Sequence, residues 1–123
     1  LRSKNPNLKI YAVEPAEAPV LSGGEFSPHK IQGIVGGNGF PPVLDQDLYD
    51  EVISIPSDVA IATARELIRV EGLMAGVSAG ANLAAARIVA AKPEHAGQTI
   101  VTFLCDTAER YVSSELFDHV REV

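Results

Sequence analysis

From Glu51 to the C-terminus, short apolar, β-branched runs alternate with stretches whose apolar residues recur at helical spacing, and this alternation restricts the folds open to the chain. Val52, Ile53 and Ile55 mark a buried strand over Glu51–Ile55. After Pro56, Ser57 is placed to cap a helix with an apolar face of Ala60, Ile61, Ala64, Leu67 and Ile68, and Gly72 is placed to end it. The run Leu73–Val77 leads into a second helix, Ser78–Ala91, stopped by Pro93 and rich enough in alanine for most of its surface to be covered. Thr99–Leu104 has the near-continuous apolar character of a parallel strand buried on both faces, and the chain is helical again from Glu109. With a further short strand at Lys9–Val13, the order is β, long loop, βαβαβα. Parallel strands need crossovers and helices supply them, so the pattern predicts an α/β fold: an open, mostly parallel sheet with flanking helices. Ligands of such sheets sit beyond the carboxyl ends of the strands, which here are the turns near Glu14, near Ser78 and at Cys105–Thr107.

Between the first two strands lie the 37 residues from Glu14 to Asp50, holding six of the ten glycines and five of the eight prolines. Loops of this length in compact domains serve a function or lack a packing partner, and both readings stand. The chain has 123 residues, enough for one domain, and its 46% hydrophobic content supplies a core. Sixteen acidic against ten basic residues leave a net charge of −6 without a Lys or Arg cluster, which argues against nucleic acid or an anionic membrane as partner. The single cysteine, Cys105, the absence of a secretory pattern and the absence of a spanning apolar run suit a cytoplasmic protein. His29, His95 and His119 are scattered, without the spacing of a metal site. The chain opens on Leu1 rather than Met, as if in mid-structure.

Gly76-Val77-Ser78-Ala79-Gly80 falls at the junction into the second helix, where Ser78 admits three readings. As a helix cap it would bind a backbone N–H. As the nucleophile of a G-x-S-x-G elbow it would be followed by Asp106 and His119 in hydrolase order, but the chain is short for that fold and lacks an HGGG-type oxyanion loop.

The third reading comes from several blocks in register. "AVEP" (Ala12–Pro15), "SPHKIQGI" (Ser27–Ile34), "LDQDLYDEVISI" (Leu44–Ile55), "EGLMAGVSAGA" (Glu71–Ala81) and "CDTAERYVSSELF" (Cys105–Phe117) together resemble the cysteine synthases, or O-acetylserine sulfhydrylases, pyridoxal-phosphate enzymes of fold type II. The resemblance implies a C-terminal part of the large cofactor-binding domain spanning residues 1–123, incomplete by itself, with residues 14–50 as a long active-site loop region. It implies pyridoxal 5'-phosphate as cofactor, with the Ser78 hydroxyl at the pyridine nitrogen and Cys105 and Asp106 beside the ring. A neutral hydroxyl does not hold that nitrogen protonated, which weakens the ring as an electron sink and suits β-elimination. Gln32, Gly33 and Ile34 correspond to the family's loop over the substrate, whereas Lys30 does not match the cofactor-linking lysine and reads as a solvated charge. The stretch "IVGGNGFPP" (Ile34–Pro42) departs from the family's shorter "IGAGF"; a phosphate cradle at Gly36, Gly37 and Gly39 lacks the GK[ST] that would follow it, and flexibility is the preferred reading there. For Cys105 a small buried apolar role is preferred to a reactive one. Glu109, Arg110 and Tyr111 match an "ERY" block with an ion-paired, turn-fixing role or a substrate contact.

Three parts that the family's chemistry requires have no counterpart among these blocks: the lysine that links the cofactor, an Asn-containing substrate loop, and a Gly- and Thr-rich phosphate loop. The resemblance therefore implies a chain that forms one wall of the site and is inactive alone, with no catalytic residue of its own. The complete enzyme would displace acetate from O-acetylserine with sulfide to make cysteine, as a homodimer open to the C-terminal tail of serine acetyltransferase. Cystathionine β-synthase or another fold-type-II β-replacement enzyme is the alternative; a serine hydrolase and a non-catalytic α/β module lie outside the family.

Overall fold

The computed structural model describes residues 1–35 and 40–121. Two parallel strands, β1 (Tyr11–Pro15) and β2 (Glu51–Ile55), pair in register from Tyr11 opposite Glu51 to Pro15 opposite Ile55. The ladder continues through Ala16 N–H to Ile55 C=O at 2.9 Å, and the Asp50 carboxylate fixes its start by accepting from Ile10 N–H and Arg2. Helix α1 (Ser57–Glu71) follows β2 directly and ends at Gly72, whose φ of 68° is the left-handed cap anticipated from sequence. Helix α2 (Val77–Ala90) runs next and gives way to a 3₁₀ turn at Pro93–His95.

The helices meet along small residues. A Cβ placed on Gly80 would stand 2.1 Å from the Ala60 carbonyl oxygen and 2.8 Å from the Ala64 nitrogen, so the two backbones approach where no side chain intervenes. Around this crossing Ile31, Ile53, Ile55, Ile61, Val77, Ala81, Ala85, Tyr111 and Leu116 form the main core. Leu67, Ala75 and Ala79 form a second cluster at the far end of the crossing. Each fully buried aliphatic side chain, such as Ile31 or Ile55, contributes about 1.5–3 kcal/mol of hydrophobic stabilisation.

Three sequence expectations change. Strand β1 sits two residues further along than Lys9–Val13, because the register is set by pairing with β2. Neither Leu73–Val77 nor Thr99–Leu104 is a strand: within residues 99–104, Val101 is 80% and Phe103 74% exposed, and the Asn82 side chain holds the segment by donating to Phe103 C=O at 2.9 Å. A strand is defined by its neighbour's ladder, and among the described residues none flanks this run. The helix expected from Glu109 is broken into 3₁₀ turns at Ala108–Tyr111 and Glu115–Phe117 before a short α3 (Asp118–Arg121), because the Ser114 hydroxyl donates to Tyr111 C=O at 2.7 Å and competes for the backbone. Among the described residues no helix is long and apolar enough to cross a membrane.

Replacing Gly80 with alanine should destabilise the fold by about 3 kcal/mol or more, since the added methyl meets backbone that cannot rotate away. An unchanged urea midpoint for that variant would show that the helices do not approach this closely.

Candidate active site

The ligand side of the sheet is built on the segment that leaves β1 and the turn that enters α2. Glu14 is 0% exposed, and its carboxylate accepts from Leu21 N–H (2.7 Å) and from the Ser22 (2.5 Å) and Ser54 (2.9 Å) hydroxyls. These bonds fold residues 16–24 back over the strand end as a 3₁₀ turn (Val20–Ser22), so the region 14–50 is anchored rather than free at its start. The chain then returns to the core at Ile31. Gln32 and Gly33 are exposed, Gly33 has φ 88°, and Ile34 packs against the main core. Val35 has φ 50°, a left-handed conformation uncommon for a β-branched residue, and His29 Nε2–H donates to its carbonyl at 3.0 Å. Gly36, Gly37 and Gly39 lie outside the described residues.

Ser78 stands in the first turn of α2 rather than at its cap. The cap residue is Gly76, and a Cβ on it would meet the Tyr111 ring at 2.7 Å, so the absence of a side chain lets the tyrosine close over the turn. Ser78 is 8% exposed, and none of the side-chain hydrogen bonds among the described residues engages its hydroxyl.

Two backbone bonds hold the Cys105–Thr107 turn against this start of α2: Gly76 N–H to Cys105 C=O at 3.4 Å and Ala108 N–H to Met74 C=O at 3.0 Å. Asp106 adopts φ 62°, and its carboxylate accepts from Thr107 N–H (2.9 Å) and the Tyr111 hydroxyl (2.7 Å) and pairs with Arg110 Nε (3.0 Å). The Tyr111 hydrogen bond, with help from Thr107 N–H and Arg110, holds the Asp106 carboxyl below the usual carboxylate range. The same bond pushes the Tyr111 phenol up. The "ERY" block is therefore turn-fixing through Arg110 and Tyr111. Cys105, expected to pack, is exposed, with Asn82 Nδ2 at 3.5 Å from its sulfur; among the described residues no strand flanks the run preceding it.

The structure thus brings Ser78 together with the Cys105–Asp106 turn. It brings Gln32 to a cavity of about 320 Å³ shared with His29, Lys30, Ile61, Val77 and Glu115, so the loop and the residue before Ser78 border one space. Lys30, read as solvated, forms an exposed ion pair with Glu115 at 2.8 Å. The hydrolase order does not assemble: Asp106 is committed to Tyr111 and Arg110, and His119 lies over the α1 face of Ala62, Arg65 and Arg69. Ser57, expected to cap α1, is instead its first residue: the cap position is Pro56, no side chain caps the helix, and the Ser57 hydroxyl accepts from Lys30 N–H at 3.0 Å, a distant partner of which a serine following Pro56 carries no signal.

A parallel strand pair wrapped by this helix crossing, with a hydroxyl in the turn into the second helix, belongs to a known class. The chain is a member of the pyridoxal-phosphate dependent enzyme family, which matches residues 1–106, and its α/β fold is that of the fold-type-II members. It is 47% identical over 120 residues to cysteine synthase 3 of Caenorhabditis elegans, covering 98% of this chain and 35% of that protein. It is 44% identical over 118 residues to the cysteine synthase of Staphylococcus aureus, covering 95% of this chain and 37% of that one. Among solved structures, the cysteine synthase of Entamoeba histolytica superposes with a TM-score of 0.90 at 39% identity, over 95% of this chain and 34% of that one. The O-acetylserine-dependent cystathionine β-synthase of Helicobacter pylori superposes with a TM-score of 0.82 at 31% identity, over 95% of this chain and 37% of that one. The chain thus spans little more than a third of the length of the relatives it matches.

The Asp106–Tyr111 clamp gives a pH window for the turn. A lowered Asp106 pKa stabilises the fold above the unfolded value of about 4, and that stabilisation is lost as pH falls through the folded value; a raised Tyr111 pKa stabilises it below about 10 and is lost as pH rises through the folded value. Tyr111→Phe should move the Asp106 titration, followed by carboxyl NMR, up toward the ordinary carboxylate range. An Asp106 that titrates identically in the variant would show that the hydrogen bond is not its main support.

Proposed function

We propose that this chain supplies the pyridine-nitrogen side of the cofactor site of an enzyme that makes L-cysteine from O-acetylserine and sulfide. The observation that carries this reading is 44–47% identity to cysteine synthases along nearly the whole chain, with the hydroxyl of Ser78 in the first turn of α2. When bound, pyridoxal phosphate withdraws electrons from the α-carbon of the amino acid, so that a β-substituent can leave and be replaced.

The donor set suits that group. Ser78 offers a neutral hydroxyl that no side-chain hydrogen bond engages among the described residues, in a first turn held by the packing of Gly76 on Tyr111 and of Gly80 on α1. As a hydroxyl it can hydrogen-bond the pyridine nitrogen without fixing a proton on it, the property a replacement reaction favours. Asp106, its charge held by Tyr111 and Arg110, would keep the Cys105–Asp106 turn beside the ring. Gln32, Gly33 and Ile34 would border the amino-acid substrate from the opposite wall, within a domain segment whose long region 14–50 forms the active-site loop.

A cytoplasmic homodimer that accepts the C-terminal tail of serine acetyltransferase completes the reading, supported by the likeness to cysteine synthases. Cystathionine formation is the second reading, favoured by the Helicobacter pylori likeness, but at 31% identity against 44–47% it ranks lower.

Ser78→Ala, made in the holoenzyme that contains this chain, should alter the cofactor's visible absorption and lower cysteine formation by about tenfold or more. Unchanged absorption and turnover would remove Ser78 from the site. Assays with sulfide and with homocysteine as sulfur nucleophile separate the two readings: a preference for homocysteine would replace cysteine synthesis with cystathionine synthesis.

A further inference from the structure

The segment that carries Gln32, Gly33 and Ile34 touches the rest of the molecule through few bonds, and they differ in strength. Lys30 Nζ pairs with Glu115 at 2.8 Å, but both side chains are exposed, and such pairs hold geometry weakly. His29 Nε2–H donates to Val35 C=O, which closes the segment on itself, and its ring adds only a minor electrostatic contribution at Glu17. Among the described residues, a third bond reaches into the interior: Lys30 N–H donates to the hydroxyl of Ser57, a residue 3% exposed. Ser57 is itself held, since its N–H donates to Glu17 Oε1 at 2.8 Å. The next residue, Ile31, is 0% exposed in the main core. The segment is thus pinned at 30–31 and open at Gln32 and Gly33.

Ser57 is the first residue of α1, and one turn further on Ala60 meets Gly80, two residues beyond Ser78 on α2. One helix therefore links both walls of the proposed site. We propose that Ser57 is a positioning residue for the substrate loop: its buried hydroxyl, by accepting Lys30 N–H, sets the place of Gln32–Ile34 relative to Ser78 across α1. This inference rests on the proposed cysteine-forming reaction only for the identity of the substrate.

The test is made on the holoenzyme. Ser57→Ala leaves Lys30 N–H without its acceptor, and should raise KM for O-acetylserine about tenfold while kcat and KM for sulfide stay within about twofold and the cofactor's absorption is unchanged. Ser57→Thr keeps the acceptor and should return KM to within about threefold of the parent. In the parent, hydrogen exchange at Lys30 should be slowed, and in Ser57→Ala it should rise to the rate of its exposed neighbours. An unchanged KM for O-acetylserine in a folded Ser57→Ala enzyme overturns the proposal. Should that variant not fold, fast exchange at Lys30 in the parent overturns it and slow exchange there supports it. A parent enzyme that makes no cysteine from O-acetylserine and sulfide would overturn the reaction instead, while the exchange at Lys30 would still decide the role of Ser57.

Discussion

The rest of the structure depends on the contact between the backbones of α1 and α2 at Gly80. Helices whose interface side chains are one hydrogen atom or one methyl group come close enough for dispersion contacts between main chains, and the packing then allows little sliding. Ala60, Ala64, Ala81, Ala84 and Ala85 surround the crossing and leave it no bulk that could rotate aside. The isoleucines of β2 close one side of this pair, and Tyr111 and Leu116 close another. Because β2 enters α1 through Pro56 alone, the strand ends, the first turn of α1 and the first turn of α2 are placed by one rigid unit.

Polar groups buried around that unit are paired in ways that tie distant segments together. The Glu14 carboxylate gathers three donors from both sides of the sheet end, which offsets the desolvation of a charge in a site closed to water. His95 is paired on both ring nitrogens at the opposite end of β1. Gln98 Nε2 donates to Glu94 C=O at 3.2 Å, which turns Oε1 toward His95 Nδ1–H at 2.9 Å and leaves His95 Nε2 to accept from the Tyr11 hydroxyl at 2.5 Å. The start of β1 and the 3₁₀ turn that follows α2 are thereby joined across 84 residues of sequence.

Exposed apolar residues concentrate where the ladder stops. Val101, Phe103 and Leu104 precede Cys105, and Leu73 and Met74 precede Gly76, so both connections into the turns beside the start of α2 carry apolar side chains on the surface of this chain. The relatives it matches are nearly three times as long. A run with the composition of a doubly buried strand keeps that composition whether or not its neighbours are present, while its secondary structure follows from the neighbours.

Periodicity and punctuation alone determined helix α1 with its Gly72 cap, helix α2 to within one residue, strand β2 and the parallel α/β class, since each rests on local spacing and on backbone preferences that act within a few residues. The blocks around Ser78 and Gln32 likewise identified the enzyme family, which the comparison with known proteins bears out. What only the tertiary structure decided were long-range pairings: the register of β1, the lack of a ladder partner for residues 99–104 among the described residues, the exposure of Cys105, and the acceptance of Lys30 N–H by Ser57. The reason is physical. A helix closes its hydrogen bonds within itself and so is written in its own residues, whereas a strand, a buried carboxylate or a serine at a helix start is satisfied by groups that sequence distance does not specify.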